Sequence, residues 1–167
     1  MNNEQIKTAV EEMVQEVRTM ERVYYTINEA QAKQAKQMMS FYDYVQGSKT
    51  KEYRAMVDKV YDLAEKVAEK RPTEAERVAK LADRYARQLA EYFNNDFRIG
   101  CMCPSVMISG AGNFPVKKKE KQNQAWDRNY QFYKQVQEIP EKIENILYMK
   151  EVIKAGDENA LEKLQEK

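Results

Sequence analysis

Apolar side chains recur every three or four residues through most of this chain, which is the period of an amphipathic helix. The residues that interrupt helices are concentrated in one short window. Three of the five glycines and two of the four prolines lie between Gly100 and Pro115. The pattern therefore predicts an all-α fold, an elongated bundle of about five helices with a structured Gly/Pro loop.

Local signals divide this predicted single domain into helical segments. Gly47 marks a break, and Ser48 or Thr50 is placed to cap the helix that follows. Asn94 to Asp96 is read as the end of a helical hairpin, and Pro140 as a helix break or a helix start. The predicted divisions of residues 1–167 are a long N-terminal helix or helices at 1–46, a helical hairpin at 48–95, the loop at 97–116 and C-terminal helices at 117–167.

Near the start of the chain, apolar residues are spaced alternately four and three positions apart, which is the a/d pattern of a heptad repeat. Polar residues such as Glu12 and Glu16 lie between them. Two interpretations fit this seam. The helix packs on its own neighbours, or it forms a coiled coil that joins two copies in a homodimer. The seam consists of Ile6, Val10, Met13, Val17, Met20, Tyr24 and Ile27.

The chain has no histidine, which narrows its chemistry. The commonest general base near neutral pH and the commonest metal ligand are missing, so His-dependent triads are excluded. Cys101 and Cys103 alone cannot complete a four-ligand zinc site, and we expect reduced thiols with no metal and no cofactor. No apolar stretch approaches the ~20 residues that span a bilayer, and no signal-peptide pattern is seen. We expect a cytoplasmic protein without membrane contact.

The densest local charge follows the Gly/Pro window. Four lysines lie within five residues at a predicted helix start, where the helix dipole disfavours cations. One interpretation is a surface that contacts phosphates, with Trp126 as a stacking aromatic. The other is a solvated helix start with Trp126 in the core. A net charge of only +1 argues against a dedicated, high-affinity nucleic-acid binder. The candidate binding residues are Asn113, Lys117, Lys118, Lys119, Lys121, Gln122, Asn123 and Arg128.

The segment PSVMISGAGNFPVKKKEKQNQAWDRN, at 104–129, resembles a segment of proteins on phages and conjugative elements of gut Firmicutes. The stretch MMSFYDYVQGSKTKEYRAMVDKVYDLAEK, at 38–66, is similar to an upstream region of the same proteins. Tyr85, Ala86 and Leu89 match a further helix, so the resemblance covers about residues 24–147. Its shared residues look like a shaped, basic recognition surface: Asn113, Phe114, Pro115, Lys118, Lys119, Lys121, Gln122 and Asn123.

This resemblance implies an accessory function on a mobile element and carries over no catalytic residues. Some mobile-element proteins of this size are anti-CRISPR proteins. We therefore expect a protein without enzymatic activity that inhibits a host defence complex, with an RNA-guided CRISPR nuclease as the leading target. Its partner would be a host protein or ribonucleoprotein, with RNA or DNA contacted through Lys117–Lys121. The alternative is a DNA-binding accessory protein of conjugation or phage replication.

Overall fold

The computed structural model describes residues 20–149, which contain five helices, one 3₁₀ turn at Pro72–Glu74 and no strand. The predicted all-α fold is confirmed. Across this part of the chain, no helix combines the length and the apolar character needed to cross a membrane. The helices are α1 (Glu29–Met39), α2 (Ser48–Lys70), α3 (Ala75–Gly100), α4 (Val106–Ser109) and α5 (Val116–Tyr148).

Helix α3 lies at the centre of the bundle, in contact with α1, α2 and α5. Its buried stripe alternates small and large side chains, so neighbouring helices approach closely at the alanines and interlock at the larger residues. Buried side chains from α2 and α5 complete one continuous core. Its most enclosed members include Tyr53, Val57, Ala64, Val67, Val78, Ala82, Ala86, Leu89, Val136 and Ile143.

The predicted end of the hairpin at Asn94 to Asp96 is wrong, because α3 continues to Gly100. Asn94 remains helical while its side chain holds the chain segment before α1. Its Oδ1 accepts from the amide of Asn28 at 2.9 Å, and its Nδ2 donates to the carbonyl of Thr26 at 2.9 Å. Phe97 extends the buried stripe past the asparagines. Residues 97–100 of the predicted loop at 97–116 therefore belong to α3, and the loop also contains α4 and the first residue of α5.

The heptad helix predicted through Met20, Tyr24 and Ile27 is also wrong for these three residues. Residues 20–28 are not helical, so they cannot form an a/d seam, and the predicted N-terminal helix at 1–46 is interrupted here. The rest of the seam lies outside the described residues: Ile6, Val10, Met13 and Val17.

Tyrosine hydroxyls on α2 explain why residues 20–28 stay out of a helix. The amide of Val23 donates to Tyr61 Oη at 3.2 Å, and the amide of Tyr25 donates to Tyr53 Oη at 3.0 Å. These bonds satisfy backbone groups that a helix would otherwise pair. Ile27 is buried against the core, so the apolar residue that looked like a seam position contributes to the chain's own interior.

Electrostatic contacts hold the same segment against α2. Arg22 lies 3.1 Å from Asp58, 2.6 Å from Asp62 and 3.3 Å from Glu65. Burial acts to lower the pKa of Arg22, but the hydrogen bonds to Asp62 and Asp58 and the charge of Glu65 raise it overall. Tyr24 Oη donates to Asp58 at 2.5 Å.

The start of α2 is capped by Glu29 of α1, and not by Ser48 or Thr50 as predicted. One carboxylate oxygen of Glu29 accepts from the amide and the hydroxyl of Thr50, at 2.6 and 2.7 Å. The other accepts from the amide of Gly47 at 3.0 Å and from the Tyr44 hydroxyl. Burial acts to raise the pKa of Glu29, but these hydrogen bonds lower it overall.

The predicted break at Pro140 is wrong, because α5 is one helix that passes through it. Val136 and Ile139 before the proline and Ile143 after it lie on the same buried stripe, and this packing outweighs the lost backbone hydrogen bond. The part of the predicted C-terminal helices at 150–167 lies outside the described residues.

Candidate nucleic-acid interface

The turn before α5 determines where the lysine-rich helix begins. Gly110 and Asn113 adopt left-handed backbone conformations, with φ of 79° and 55°. Pro115 is the N-cap, and its carbonyl accepts from the amides of Lys118 and Lys119, both at 3.0 Å. No side chain caps this helix, and its first turn carries no acidic residue. The positive end of the α5 dipole therefore adds to the lysine charge.

Gln122 is predicted as a binding residue, and the structure contradicts this because its side chain is fully buried. Its Nε2 donates to the carbonyls of Ile99, Cys103 and Gly100, at 2.7, 3.1 and 3.3 Å. These carbonyls lie at and just beyond the end of α3, where no further helical turn supplies donors. Gln122 therefore attaches α5 to the C-terminal end of α3.

Lys119 is turned inward, toward the residues that support α5. Its Nζ lies 2.7 Å from Gln122 Oε1 and 5.1 Å from the centroid of the half-buried Trp126 ring. On its other side Trp126 meets Asp96. Burial raises the pKa of Asp96, while hydrogen bonding with Trp126 and the charge of Lys49 act in the opposite direction. Trp126 thus contacts Lys119 and Asp96 and is half-buried, so it is not a core residue.

Three of the predicted lysines remain exposed, and we call Lys117, Lys118 and Lys121 the lysine patch. Within residues 20–149, no salt bridge joins any of them to a carboxylate. The buried stripe of α5 begins only at Gln122, beside the end of α3. The first turn of α5 therefore extends beyond the end of α3, and for this reason the three lysines face solvent.

The remaining predicted residues divide between two sides of α5. Arg128 is exposed and lies seven residues after Lys121, which places both on one side of the helix, two turns apart. Asn123 is also exposed, but it lies two positions after Lys121, which places its side chain about 200° away around the helix axis. Asn113 lies exposed in the turn. The structure thus brings Arg128 into line with the lysine patch and leaves Asn123 on the opposite side.

A hollow of about 490 Å³ opens between α3 and α5 beside Arg128. Arg98 of α3 lines it from the other helix, and Phe132 and Met102 provide apolar surface. Sequence reasoning missed Arg98, because the helix was expected to end before it. The sequence signal that could have identified Arg98 is its heptad spacing from Glu91, which lies seven residues earlier on the same side of α3.

The described residues contain no group of three histidine, cysteine or carboxylate side chains arranged to hold a metal ion. Cys103 is buried and Cys101 is partly buried, and both are free thiols. Burial raises the pKa of the Cys101 thiol, which disfavours the reactive thiolate.

The chain matches no family model, and comparisons with curated proteins and with solved structures find nothing significantly similar.

Proposed function

We propose that this protein is a non-catalytic binding protein that contacts nucleic-acid phosphates through the lysine patch and Arg128. Its role would be to inhibit a host defence complex on behalf of a phage or mobile element, with an RNA-guided nuclease as the target. Such inhibition needs only occlusion of a nucleic-acid or protein surface, so it requires no catalytic group.

The observation that carries this proposal is the uncompensated positive charge at the start of α5. Lys117 and Lys118 lie in a first turn that has neither an acidic residue nor a side-chain cap. Their charges and the helix dipole have the same sign, so this arrangement opposes folding unless an anion neutralises it. A phosphate group bound to the lysine side chains would do so.

The first experiment measures binding of labelled DNA and RNA oligonucleotides by fluorescence anisotropy over a range of salt concentrations. The variant K117Q/K118Q/K121Q is compared with K51Q/K59Q/K66Q, which removes three exposed lysines from α2. We expect the patch variant alone to lose affinity, with the log–log salt slope reduced by about 2 on a single strand, about 0.7 for each lost phosphate contact. Equal losses in both variants would refute a specific site and leave only general charge attraction.

The second experiment distinguishes inhibition of a nuclease from a DNA-accessory function. An inhibitor should co-purify with an effector complex from a host with an active CRISPR system, and should block target cleavage at near-stoichiometric amounts. The patch variant should lose this effect. If the protein binds plain DNA strongly but leaves cleavage unchanged at molar excess, the accessory function in conjugation or replication replaces our proposal.

A further inference from the structure

Basic residues recur every seven positions along one side of α3. Arg77, Arg84 and Arg98 occupy this row, and Glu91 is its one acidic member. Seven residues are close to two helical turns, so the four side chains lie on the same flank of the helix, about 10 Å apart. The row spans 21 residues, or about 32 Å.

A second row with the same spacing runs along α5. It contains Lys121, Arg128, Gln135 and Lys142, and all four are exposed. Each basic member of this row directly follows an acidic residue: Glu120, Asp127 and Glu141. Consecutive residues are rotated by about 100°, so the acids point away from the flank that carries the bases.

Two hollows show that these rows face one seam. The hollow described above is lined by Arg98 and Arg128, and also by Glu91. A second hollow, of about 560 Å³, is lined by Glu76, Arg77, Lys80 and Arg84 of α3 and by Lys142 of α5. Because α3 and α5 run antiparallel, both hollows lie along the seam between these two helices, and we call this seam the furrow. Basic side chains outnumber acidic ones in each hollow.

The ion pairs present along the furrow leave its charge available. Arg77 contacts Glu74 at 3.3 Å, Lys80 contacts Glu76 at 2.5 Å, and Lys142 contacts Glu138 at 3.0 Å. Glu74 is half-buried, and the other five side chains are exposed. Surface pairs of this kind contribute about 0–1 kcal/mol and exchange readily for another anion. Among the described residues, neither Arg84 nor Arg128 forms a salt bridge.

We propose that this furrow between α3 and α5 binds an extended single strand of nucleic acid, whose phosphates contact the arginines at both ends. The inference rests on the proposed function and names its ligand class. The axes of packed helices lie about 8–10 Å apart, so the seam between them is a narrow surface feature that suits one row of phosphates, as in a single strand. The apolar surface of Phe132 and Met102 in one hollow suits an unstacked base.

The test uses variants outside the lysine patch. We expect R77Q/R84Q to weaken binding of a strand of about 16 nucleotides but not of one of about 4, which is too short to reach the distal end from the lysine patch. Each phosphate contact on a single strand contributes a factor of about 10^0.7, or about five, between 1 M and 0.1 M salt. Loss of two contacts should therefore weaken long-strand binding about 25-fold at 0.1 M salt. K59Q/K66Q on α2 is the charge-matched control.

A second variant should strengthen binding. Glu91→Gln removes the acidic residue from the hollow that contains Arg98 and Arg128, and we expect tighter binding of the long strand than for Glu69→Gln, the matched control on α2. Circular dichroism melting of every variant verifies that the fold is intact.

Three results would overturn the proposal that the furrow binds a single strand. One is that R77Q/R84Q and E91Q behave like their controls while the lysine-patch variant still loses affinity, which leaves the proposed function standing. A preference for duplex over single strand would show that the ligand lies outside the seam. Absence of any nucleic-acid binding by the unaltered protein would reject the furrow and the proposed phosphate contact together.

Discussion

Replacing Gln122 by alanine separates a structural role of this residue from a role in binding. The side-chain amide has two hydrogens, and three carbonyl oxygens of residues 99, 100 and 103 lie 2.7 to 3.3 Å from its nitrogen. In Gln122→Ala, two buried acceptors lose their donor at a cost of about 1 kcal/mol each. The lost methylene and the cavity cost about 1 kcal/mol more. We expect the free energy of unfolding to fall by about 3 kcal/mol in total.

For a chain of this size, that loss corresponds to a melting temperature about 9 °C lower, measured by calorimetry or circular dichroism. Gln122→Leu keeps most of the volume and should lose about 2 kcal/mol, the hydrogen-bond part alone. The control is Asn123→Ala at the exposed neighbour, which we expect to change stability by less than about 0.5 kcal/mol. If Gln122→Ala melted like the unaltered protein but bound nucleic acid more weakly, our assignment of Gln122 to the interior would be refuted.

Two further predictions concern contacts made by α1. A Cβ on Gly100 would lie 2.9 Å from Ala35 Cβ and 3.7 Å from Ala35 Cα, so Gly100→Ala should destabilise the protein by about 1–3 kcal/mol. Adding Ala35→Gly should restore part of the lost stability. A double-mutant cycle measured by urea unfolding that shows no coupling between the two positions would contradict this contact. Glu29→Gln should cost about 1 kcal/mol at pH 7, the usual value for a lost cap. Because the folded pKa of Glu29 lies below its ordinary value of 4.5, its contribution is present above that pH and is lost as the pH falls through the folded pKa. The difference in urea midpoint from the unaltered protein should thus disappear on acidification, and a difference that persisted in acid would exclude the charge as its cause.

Periodicity predicted the helices of the hairpin well because their environment is simple. The apolar stripes of α2 and α3 are buried in one core, so a spacing of three and four is sufficient evidence for them: Val57, Val60 and Ala64 on α2, and Val78 and Leu89 on α3. The same spacing misled us at residues 20–28. There the backbone amides of Val23 and Tyr25 donate to tyrosine hydroxyls of α2. These are tertiary contacts, which a local sequence pattern does not predict.

Helix ends were harder to predict for a related reason. Glu29 caps α2 from a position about twenty residues earlier in the chain, so the local candidates Ser48 and Thr50 appeared sufficient. Pro140 was read as a helix break because a proline inside a helix removes a backbone hydrogen bond. The buried residues on both sides of it supply more stabilisation than one hydrogen bond, and this comparison requires knowledge of what α5 packs against.

Within the candidate site, sequence type alone could not separate residues that face a ligand from residues that face the protein. Gln122 and Asn123 are adjacent and polar, yet one is fully buried and the other exposed. Asn129, seven residues after Gln122, is also buried and donates to the carbonyl of Tyr92 at 3.2 Å. The polar residues at this heptad spacing therefore attach α5 to α3.

The residues that we propose for binding show the same heptad spacing, shifted by one position along α5. Lys121 and Arg128 each directly precede one of the two buried amide residues, Gln122 and Asn129. A helix that uses one heptad row to attach to its neighbour necessarily places the adjoining row at the edge of the contact. A basic edge row on α5 beside a basic row on α3 can therefore be recognised in the sequence once the attaching row is known. The apolar pattern alone could not reveal it, because the attaching residues of α5 at this end are amides.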